Sequence, residues 1–218
     1  MSCIEIHDYF KEIKGNVVLD HITARIQDQT VGFVGRNGAG KTMLFRAIAG
    51  LIHPTSGEIK VDGLRIGKDI SSPPSIGVII ENIGLWPDFT GFRNLKMLAG
   101  INKRIGDAQI RETIARVGLD PSDKRPVGKY SLGMRQRIVL AQALMESPDL
   151  LLLDEPTNSL DEAGVTLIRN ILKEERERGA TILIASHNKE DIDLLCETIY
   201  HLDAGKIIRI EQRPGEQL

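Results

Sequence analysis

The chain has 218 residues, of which 41% are hydrophobic and 27% are charged, a composition that fits a globular protein and excludes a disordered or collagen-like chain. The 28 Lys and Arg residues nearly balance the 30 Asp and Glu residues, and the net charge of −2 argues against non-specific binding to nucleic acid. The two cysteines, Cys3 and Cys196, form no CxxC pair, so the sequence predicts neither a zinc site nor a disulfide framework.

The first predicted elements are strands. Residues 21–26 (HITARI) alternate between polar and apolar side chains as a half-exposed strand does, and residues 57–61 form a strand pattern before a tight turn. Continuous apolar runs predict strands that are buried on both faces, as in a parallel sheet, at residues 30–35, 76–80, 150–153 and 181–185. Helical spacing of apolar residues predicts helices with stripes at Ile110, Ile114 and Val117, and at Val165, Ile168, Ile171 and Leu172.

The alternation of strands and helices predicts an α/β fold with a mostly parallel sheet and an antiparallel β part near the N-terminus. Residues from about 82 to 145 lack a buried-strand pattern, and we expect them to form an inserted helical lobe. The expected organisation is therefore a single domain over residues 1–218, with a core at about 1–81 and 146–218. No apolar run reaches the length of about 18 residues that a membrane-spanning helix requires.

Residues 35–42 read GRNGAGKT and match G-x-x-x-x-G-K-[ST], the pattern of a loop that binds nucleotide phosphates. An apolar run precedes the loop and a helical pattern follows it, as this motif requires. Its glycines let the backbone curl so that N–H groups face one centre. We expect Lys41 to reach the β- and γ-phosphates and Thr42 to ligate Mg²⁺. The predicted ATP-binding residues of this loop are Gly35, Arg36, Asn37, Gly38, Ala39, Gly40, Lys41, Thr42 and Met43.

An acidic pair follows the apolar run at residues 150–153, in the sequence LLLLDEP. Paired with a phosphate loop, such a strand end completes an ATPase site. We expect Asp154 to hold Mg²⁺ and Glu155 to act as general base for an attacking water. The alternative is an acidic turn that only caps the next helix.

Three further motifs follow the phosphate loop: YSLGMRQR at 130–137, TNSLD at 157–161 and SHN at 186–188. With the phosphate loop and the acidic pair, this order resembles the nucleotide-binding domain of the ATP-binding cassette (ABC) family over nearly the whole chain. The resemblance implies a P-loop NTPase (RecA-like) core that binds ATP with Mg²⁺ and hydrolyses it.

The resemblance also assigns roles to individual residues. Ser131 and Gly133 match the signature motif, which in the family contacts the γ-phosphate bound to a second subunit. His187 matches the switch histidine, which contacts the γ-phosphate and orients the water or the catalytic glutamate. Asp161 matches the D-loop, which communicates across the dimer. The implied catalytic residues are therefore Glu155, His187 and Lys41.

Two of the family's site positions cannot be assigned directly from the motifs. An aromatic residue before the first strands usually stacks on adenine, and both Tyr9 and Phe10 are candidates, with ordinary core packing as the alternative; we take Tyr9 as the first choice. Glu81 stands where the family usually has a glutamine that ligates Mg²⁺. A carboxylate can still hold this cation, so we expect a metal site of Thr42, Glu81 and Asp154, with altered turnover.

The signature differs from the family's LSGGQ at Tyr130, Leu132 and Met134. With these residues and Glu81, the chain resembles the subgroup of export cassettes tied to lantibiotic immunity and bacitracin resistance. The family's organisation implies two partners, a second copy in a head-to-tail dimer and a separate membrane permease. Leu85, Trp86, Pro87 and Phe89 are candidates for a docking patch for the permease, with packing inside the helical lobe as the alternative. The expected localisation is cytoplasmic, at the inner face of the membrane. The alternatives are an ABC ATPase that moves no substrate and a regulatory module that binds ATP without hydrolysis.

Overall fold

The computed structural model describes residues 2–27, 29–80 and 84–213. Within these ranges the strands are β1 (Ile4–Ile13), β2 (Asn16–Ile26), β3 (Thr30–Val34), β4 (Ser56–Val61), β5 (Leu64–Arg65), β6 (Ile76–Ile79), β7 (Leu150–Asp154), β8 (Thr181–Ala185), β9 (Thr198–Asp203) and β10 (Lys206–Gln212). The helices are α1 (Lys41–Ile48), α2 (Gly91–Asn102), α3 (Asp107–Arg116), α4 (Leu132–Leu144), α5 (Glu162–Glu177) and α6 (Lys189–Leu195), with a short 3-10 turn at Val127–Lys129.

A six-stranded sheet in the order β10-β9-β3-β8-β7-β6 forms the centre of the molecule. Strands β9, β3, β8, β7 and β6 are parallel, and β10 pairs antiparallel with β9 at one edge. Side chains alternate between the two faces of each strand. Leu150 and Leu152 of β7 therefore join one core cluster, and Leu151 and Leu153 join the other. Both faces of the sheet are covered, as the continuous apolar runs predict.

A second, antiparallel sheet has the order β2-β1-β4-β5 and packs on the same side as α1. The core between the two sheets contains Leu44, Phe45 and Ile48 of α1 together with Ile4 and Ile59 of the antiparallel strands. This arrangement confirms the predicted α/β class with an antiparallel part near the N-terminus.

The elements described between β6 and β7 are all helical. Leu95 of α2, Ile110 and Ile114 of α3 and Ile138 of α4 share one core cluster with the sheet residues Leu151 and Leu153. Helix α4 packs directly on β6 and so connects this helical segment to the sheet. Among the described residues, no helix has both the length and the apolar character needed to cross a membrane.

Candidate nucleotide-binding and catalytic site

The loop between β3 and α1 has the conformation of an anion-binding turn. Gly38 and Gly40 have positive φ angles of 83° and 103°, which glycine adopts without steric cost. Gly40 is the N-cap of α1, and no side chain caps this end of the helix. The first N–H groups of α1 and the positive end of its dipole are therefore open to a phosphate.

The turn between β9 and β10 supports this loop from behind. The backbone N–H of Gly205 donates to the carbonyl of Ala39 at 3.0 Å. A Cβ atom on Gly35 would lie 2.3 Å from the carbonyl oxygen of Leu202, so only glycine fits at this crossing. Among the other predicted ATP-binding residues, Arg36 and Asn37 are exposed at the tip of the loop and Met43 is partly buried against the core.

Lys41 extends back over the loop. Its Nζ atom donates to the carbonyl of Gly35 at 2.7 Å and to that of Arg36 at 3.4 Å, and the residue is 8% exposed. The ammonium group therefore lies inside the curl of the loop, where it can exchange these carbonyls for phosphate oxygens.

Thr42 and Asp154 bring the phosphate loop and the acidic strand end together. The hydroxyl of Thr42 donates to Oδ2 of Asp154 at 2.5 Å, although the two residues are 112 positions apart in sequence. A hydroxyl and a carboxylate are hard oxygen ligands, and Mg²⁺ typically takes one or two carboxylates together with substrate phosphates. The pair therefore fits a magnesium ion shared with a nucleotide, and no cluster of three or more His, Cys, Asp or Glu in the described parts of the chain offers another metal site.

Glu155 begins a turn with a left-handed backbone, φ 52°, which a non-glycine residue adopts at a cost of roughly 1–3 kcal/mol. Its backbone N–H donates to the carbonyl of Ala185 at the end of β8 at 2.8 Å. Nδ1 of His187 lies 2.8 Å from Oε2 of the carboxylate, and the hydroxyl of Ser186 donates to the same oxygen at 3.3 Å. The structure thus brings together the predicted base and the predicted switch histidine.

Ser131 is exposed and is the N-cap of α4, where its hydroxyl oxygen accepts from the backbone N–H of Met134 at 3.2 Å. Gly133 lies beside the turn after β7, since an added Cβ would be 3.3 Å from the carbonyl oxygen of Ser159. Asp161 is the N-cap of α5 and accepts from the backbone N–H of Gly164 at 2.9 Å. The signature and D-loop residues therefore adjoin each other within one chain.

The aromatic prediction for Tyr9 does not fit the structure. Tyr9 is 1% exposed in the core, and its hydroxyl donates to the carbonyl of Ile52 at 3.2 Å. Its ring has no open face for a base. Phe10 is partly exposed and stacks on His21 with ring centroids 5.0 Å apart, so Phe10 is the more accessible of the two candidates. The other uncertain position, Glu81, lies outside the described residues, and its role stays a prediction.

Sequence reasoning missed Gln136, which contacts the catalytic turn. Its Nε2 donates to the carbonyl of Pro156 at 3.3 Å, with a longer contact of 3.5 Å to the carbonyl of Glu155. Its neighbour Arg137 reaches Oδ1 of Asp161 at 3.3 Å. Both residues lie within the YSLGMRQR motif, shortly after Ser131 and Gly133. Two polar side chains one helical turn after the signature residues could have indicated this contact.

A phosphate-binding loop, a threonine and aspartate pair suited to Mg²⁺, and a glutamate held by a histidine define a P-loop ATPase. The family model for ABC transporters matches residues 19–158. The chain belongs to the ABC transporter family, as an ATP-binding ATPase subunit of a transporter.

Individual relatives agree with this assignment. The chain is 49% identical over 205 residues to YybJ of Bacillus subtilis (strain 168), an uncharacterized ABC transporter ATP-binding protein, and the match covers 94% of each chain. It is 38% identical to BcrA of Bacillus licheniformis, a bacitracin transport ATP-binding protein, over 100% of this chain and 71% of the relative.

A solved structure confirms the fold. The dimeric, post-hydrolysis structure of the ATP-binding cassette MJ0796 bound to ADP and Pi superimposes with a TM-score of 0.88 at 22% identity, covering 97% of this chain and 99% of that one.

Proposed function

We propose that this subunit hydrolyses ATP as a head-to-tail dimer and thereby powers export, through a separate membrane permease, of a peptide antibiotic. The observation that carries the catalytic part is the joining of three segments: Thr42 of the phosphate loop contacts Asp154, and the adjacent Glu155 is held by His187. Binding, metal and base groups thus converge at the carboxyl ends of β3, β7 and β8.

The proposed reaction transfers the γ-phosphoryl group of ATP to water, giving ADP and phosphate. Lys41 and the N–H groups at the start of α1 bind the phosphate oxygens. Thr42 and Asp154 would hold Mg²⁺, which neutralises phosphate charge when bound. Glu155 accepts the proton of the attacking water on its carboxylate, and His187 fixes the direction of that carboxylate and contacts the γ-phosphate.

The proposed dimer follows from where the signature lies. Ser131 is exposed at the start of α4 and Gly133, two residues later, lies beside Ser159 and Leu160, whereas the phosphate loop lies beside Leu202 and Gly205. A second copy related by two-fold symmetry would bring each Ser131 to the partner's phosphate loop and complete two sites. ATP would favour this closed pair only if it binds the closed state more tightly than the open one.

The proposed permease contact is the loop before α2, at residues 84–90. Trp86 is 44% exposed and its ring lies 6.4 Å from that of Phe89. The buried side chain of Asn94 holds this loop: its Oδ1 accepts from the N–H of Trp86 at 2.8 Å, and its Nδ2 donates to three loop carbonyls. An exposed tryptophan on a loop that is held in this way is typical of a surface that binds another protein. Leu85 and Pro87 flank it.

The likeness to BcrA supports the choice of cargo, and the permease contact implies a position on the cytoplasmic face of the membrane. Cells that carry Glu155→Gln in place of the native chain should become more sensitive to bacitracin. Unchanged sensitivity to bacitracin and to lantibiotics would contradict the proposed cargo while leaving the ATPase reaction intact.

The catalytic and dimer proposals are tested together with Glu155→Gln, which keeps the shape of the side chain and removes the base. We expect the variant to bind Mg²⁺-ATP, to lose hydrolysis and to accumulate as a dimer in size-exclusion chromatography. Glu177→Gln, an exposed glutamate at the C-terminal end of α5, is the control and should behave as the native protein. A monomeric Glu155→Gln that hydrolyses ATP at the native rate would contradict both proposals.

A further inference from the structure

A buried ion pair lies directly behind the catalytic residues. Asp191 is fully buried at 0% exposure, and its Oδ1 accepts from Nε of Arg169 at 2.7 Å. Its other carboxylate oxygen accepts a short hydrogen bond from the hydroxyl of Thr157, which is 7% exposed. Both oxygens of this carboxylate are therefore occupied, as a buried charge requires.

The cluster connects the chain segments that carry the two catalytic side chains. Thr157 follows Glu155 by two residues, in the turn after β7, and Asp191 follows His187 by four residues, in the first turn of α6. Arg169 belongs to α5, which packs beside α6. A single carboxylate thus fastens α6, the turn after β7 and α5 to one another.

This fastening matters because the catalytic histidine has little packing of its own. The side chain of His187 is 69% exposed and that of Glu155 is 26% exposed. Their contact therefore depends on where the backbone holds them, and the buried cluster determines how α6 lies against the turn after β7. We propose that Asp191, through Thr157, is a positioning residue that sets the separation of Glu155 and His187. The inference rests on the roles proposed above for those two residues.

Thr157 offers a matched pair of variants. Thr157→Val keeps the volume of the side chain and removes the hydroxyl donor, whereas Thr157→Ser keeps the donor. We expect Thr157→Val to lower kcat by about tenfold, because a misplacement of about 1 Å can cost about a hundredfold and the loss of one hydroxyl should cause a smaller shift. KM and the binding of a fluorescent ATP analogue should stay at native values, since the phosphate loop is untouched. Thr157→Ser should restore most of kcat.

Asp191 is tested with its exposed neighbour as control. Asp191→Asn removes the buried charge that pairs with Arg169 and leaves only the exposed Glu190 as its charged partner among the described residues. It should reduce kcat as Thr157→Val does, again without weakening binding of the ATP analogue. Glu190→Gln removes the exposed partner of the same arginine, whose carboxylate lies 3.1 Å from Nη2, and should leave kcat unchanged. The melting temperature of each variant is measured as well. A variant that fails to fold would show a lower melting temperature and weaker binding of the ATP analogue, whereas a lost positioning role lowers kcat alone.

The outcomes separate this inference from the proposed function. An inactive Glu155→Gln together with a fully active Thr157→Val would overturn the positioning role and leave the catalytic assignments intact. Equal kcat values for Thr157→Val and Thr157→Ser would also overturn it. A selective fall of kcat in Thr157→Val and Asp191→Asn, with rescue by serine, supports it.

Discussion

Nδ1 of His187 lies 2.8 Å from Oε2 of Glu155, while the backbone N–H of the same histidine donates to the other carboxylate oxygen, Oε1, at 3.1 Å. One residue therefore contacts both oxygens of the catalytic carboxylate. The backbone contact survives any substitution of the histidine side chain, so the two contributions can be separated by mutation.

The first prediction concerns that separation. His187→Ala removes the imidazole and keeps the backbone N–H on Glu155, so the fold and ATP binding should persist. The steady-state rate of phosphate release should fall by about a hundredfold, because the imidazole orients the general base Glu155, whose own contribution is about 10²–10⁴-fold. His7→Ala, an exposed histidine of β1, is the control. A native rate in His187→Ala would show that the imidazole does not take part.

The second prediction concerns the ammonium group in the phosphate loop. Lys41→Ala removes a charge-assisted donor, and such a bond contributes about 1.5–3 kcal/mol, so the affinity for ATP should fall at least about tenfold. Isothermal titration calorimetry with ATP and Mg²⁺ measures this loss. Lys68→Ala, an exposed lysine of the turn after β5, should bind ATP normally. Native affinity in Lys41→Ala would be incompatible with the role given to the loop.

The third prediction concerns two glycines of the same loop, which both contribute to stability but differ in their effect on the neighbouring turn. Gly35→Ala places a Cβ 2.3 Å from the backbone oxygen of Leu202, and the overpacking should cost about 1–3 kcal/mol in urea unfolding. Gly38→Ala has no atom within 4 Å and a positive φ, so its cost should be confined to about 1–2 kcal/mol of backbone strain. Because Gly35 also crosses β9, only Gly35→Ala should perturb the turn at Gly205, which hydrogen exchange can measure. Equal exchange in both variants would contradict this.

The fourth prediction concerns the two thiols. Burial raises the pKa of Cys196 to about 12, whereas Cys3 is only partly buried. The thiolate is the reactive form, so Ellman's reagent should modify Cys3 in the native protein and Cys196 only after denaturation. Cys3→Ser should abolish the native reaction. In the folded Cys3→Ser variant only Cys196 remains. If its thiol reacted as fast as in the unfolded chain, the burial of Cys196 would be contradicted.

The same thiol gives a signed pH dependence of stability. Its pKa is higher in the folded chain than the ordinary value of about 8.5 in an unfolded chain. The folded state therefore keeps its proton where the unfolded state loses it, and the contribution to stability is complete below about pH 8.5 and lost as the pH rises toward 12. Denaturant unfolding between these values should show this decline, and Cys196→Ala should reduce its slope.

The sequence was informative where the chemistry is local. The loop at Gly35, the strand before Asp154 and the buried runs of the parallel sheet could each be recognised from contiguous residues. The contact of Gly35 with Leu202 and the linkage of Thr157 to Asp191 could not, because they depend on how distant segments pack. Neither composition nor the spacing of residues predicts these two long-range contacts.

The choice between Tyr9 and Phe10 shows a different reason for failure. Strand β1 changes register with β2 between Ile6 and Tyr9 and twice more before Glu12, and Asp8 has a positive φ of 47°. Each irregularity shifts which residues face the core, so a period of two cannot assign the side of either aromatic ring. The sequence thus predicts the antiparallel sheet but does not predict which side chains of β1 face the core.

Helix α4 starts at the exposed Ser131 and, one turn later, touches the carbonyl of Pro156 through Gln136 and the carboxylate of Asp161 through Arg137. In the proposed pair, Ser131 serves the partner's nucleotide while Gln136 adjoins the catalytic turn of its own chain. The 13-residue helix α4 would then link the two nucleotide sites, so that binding of ATP at one site affects the other. The turnover of such a pair should rise sigmoidally with ATP concentration, and Gln136→Leu should flatten the curve toward a hyperbola.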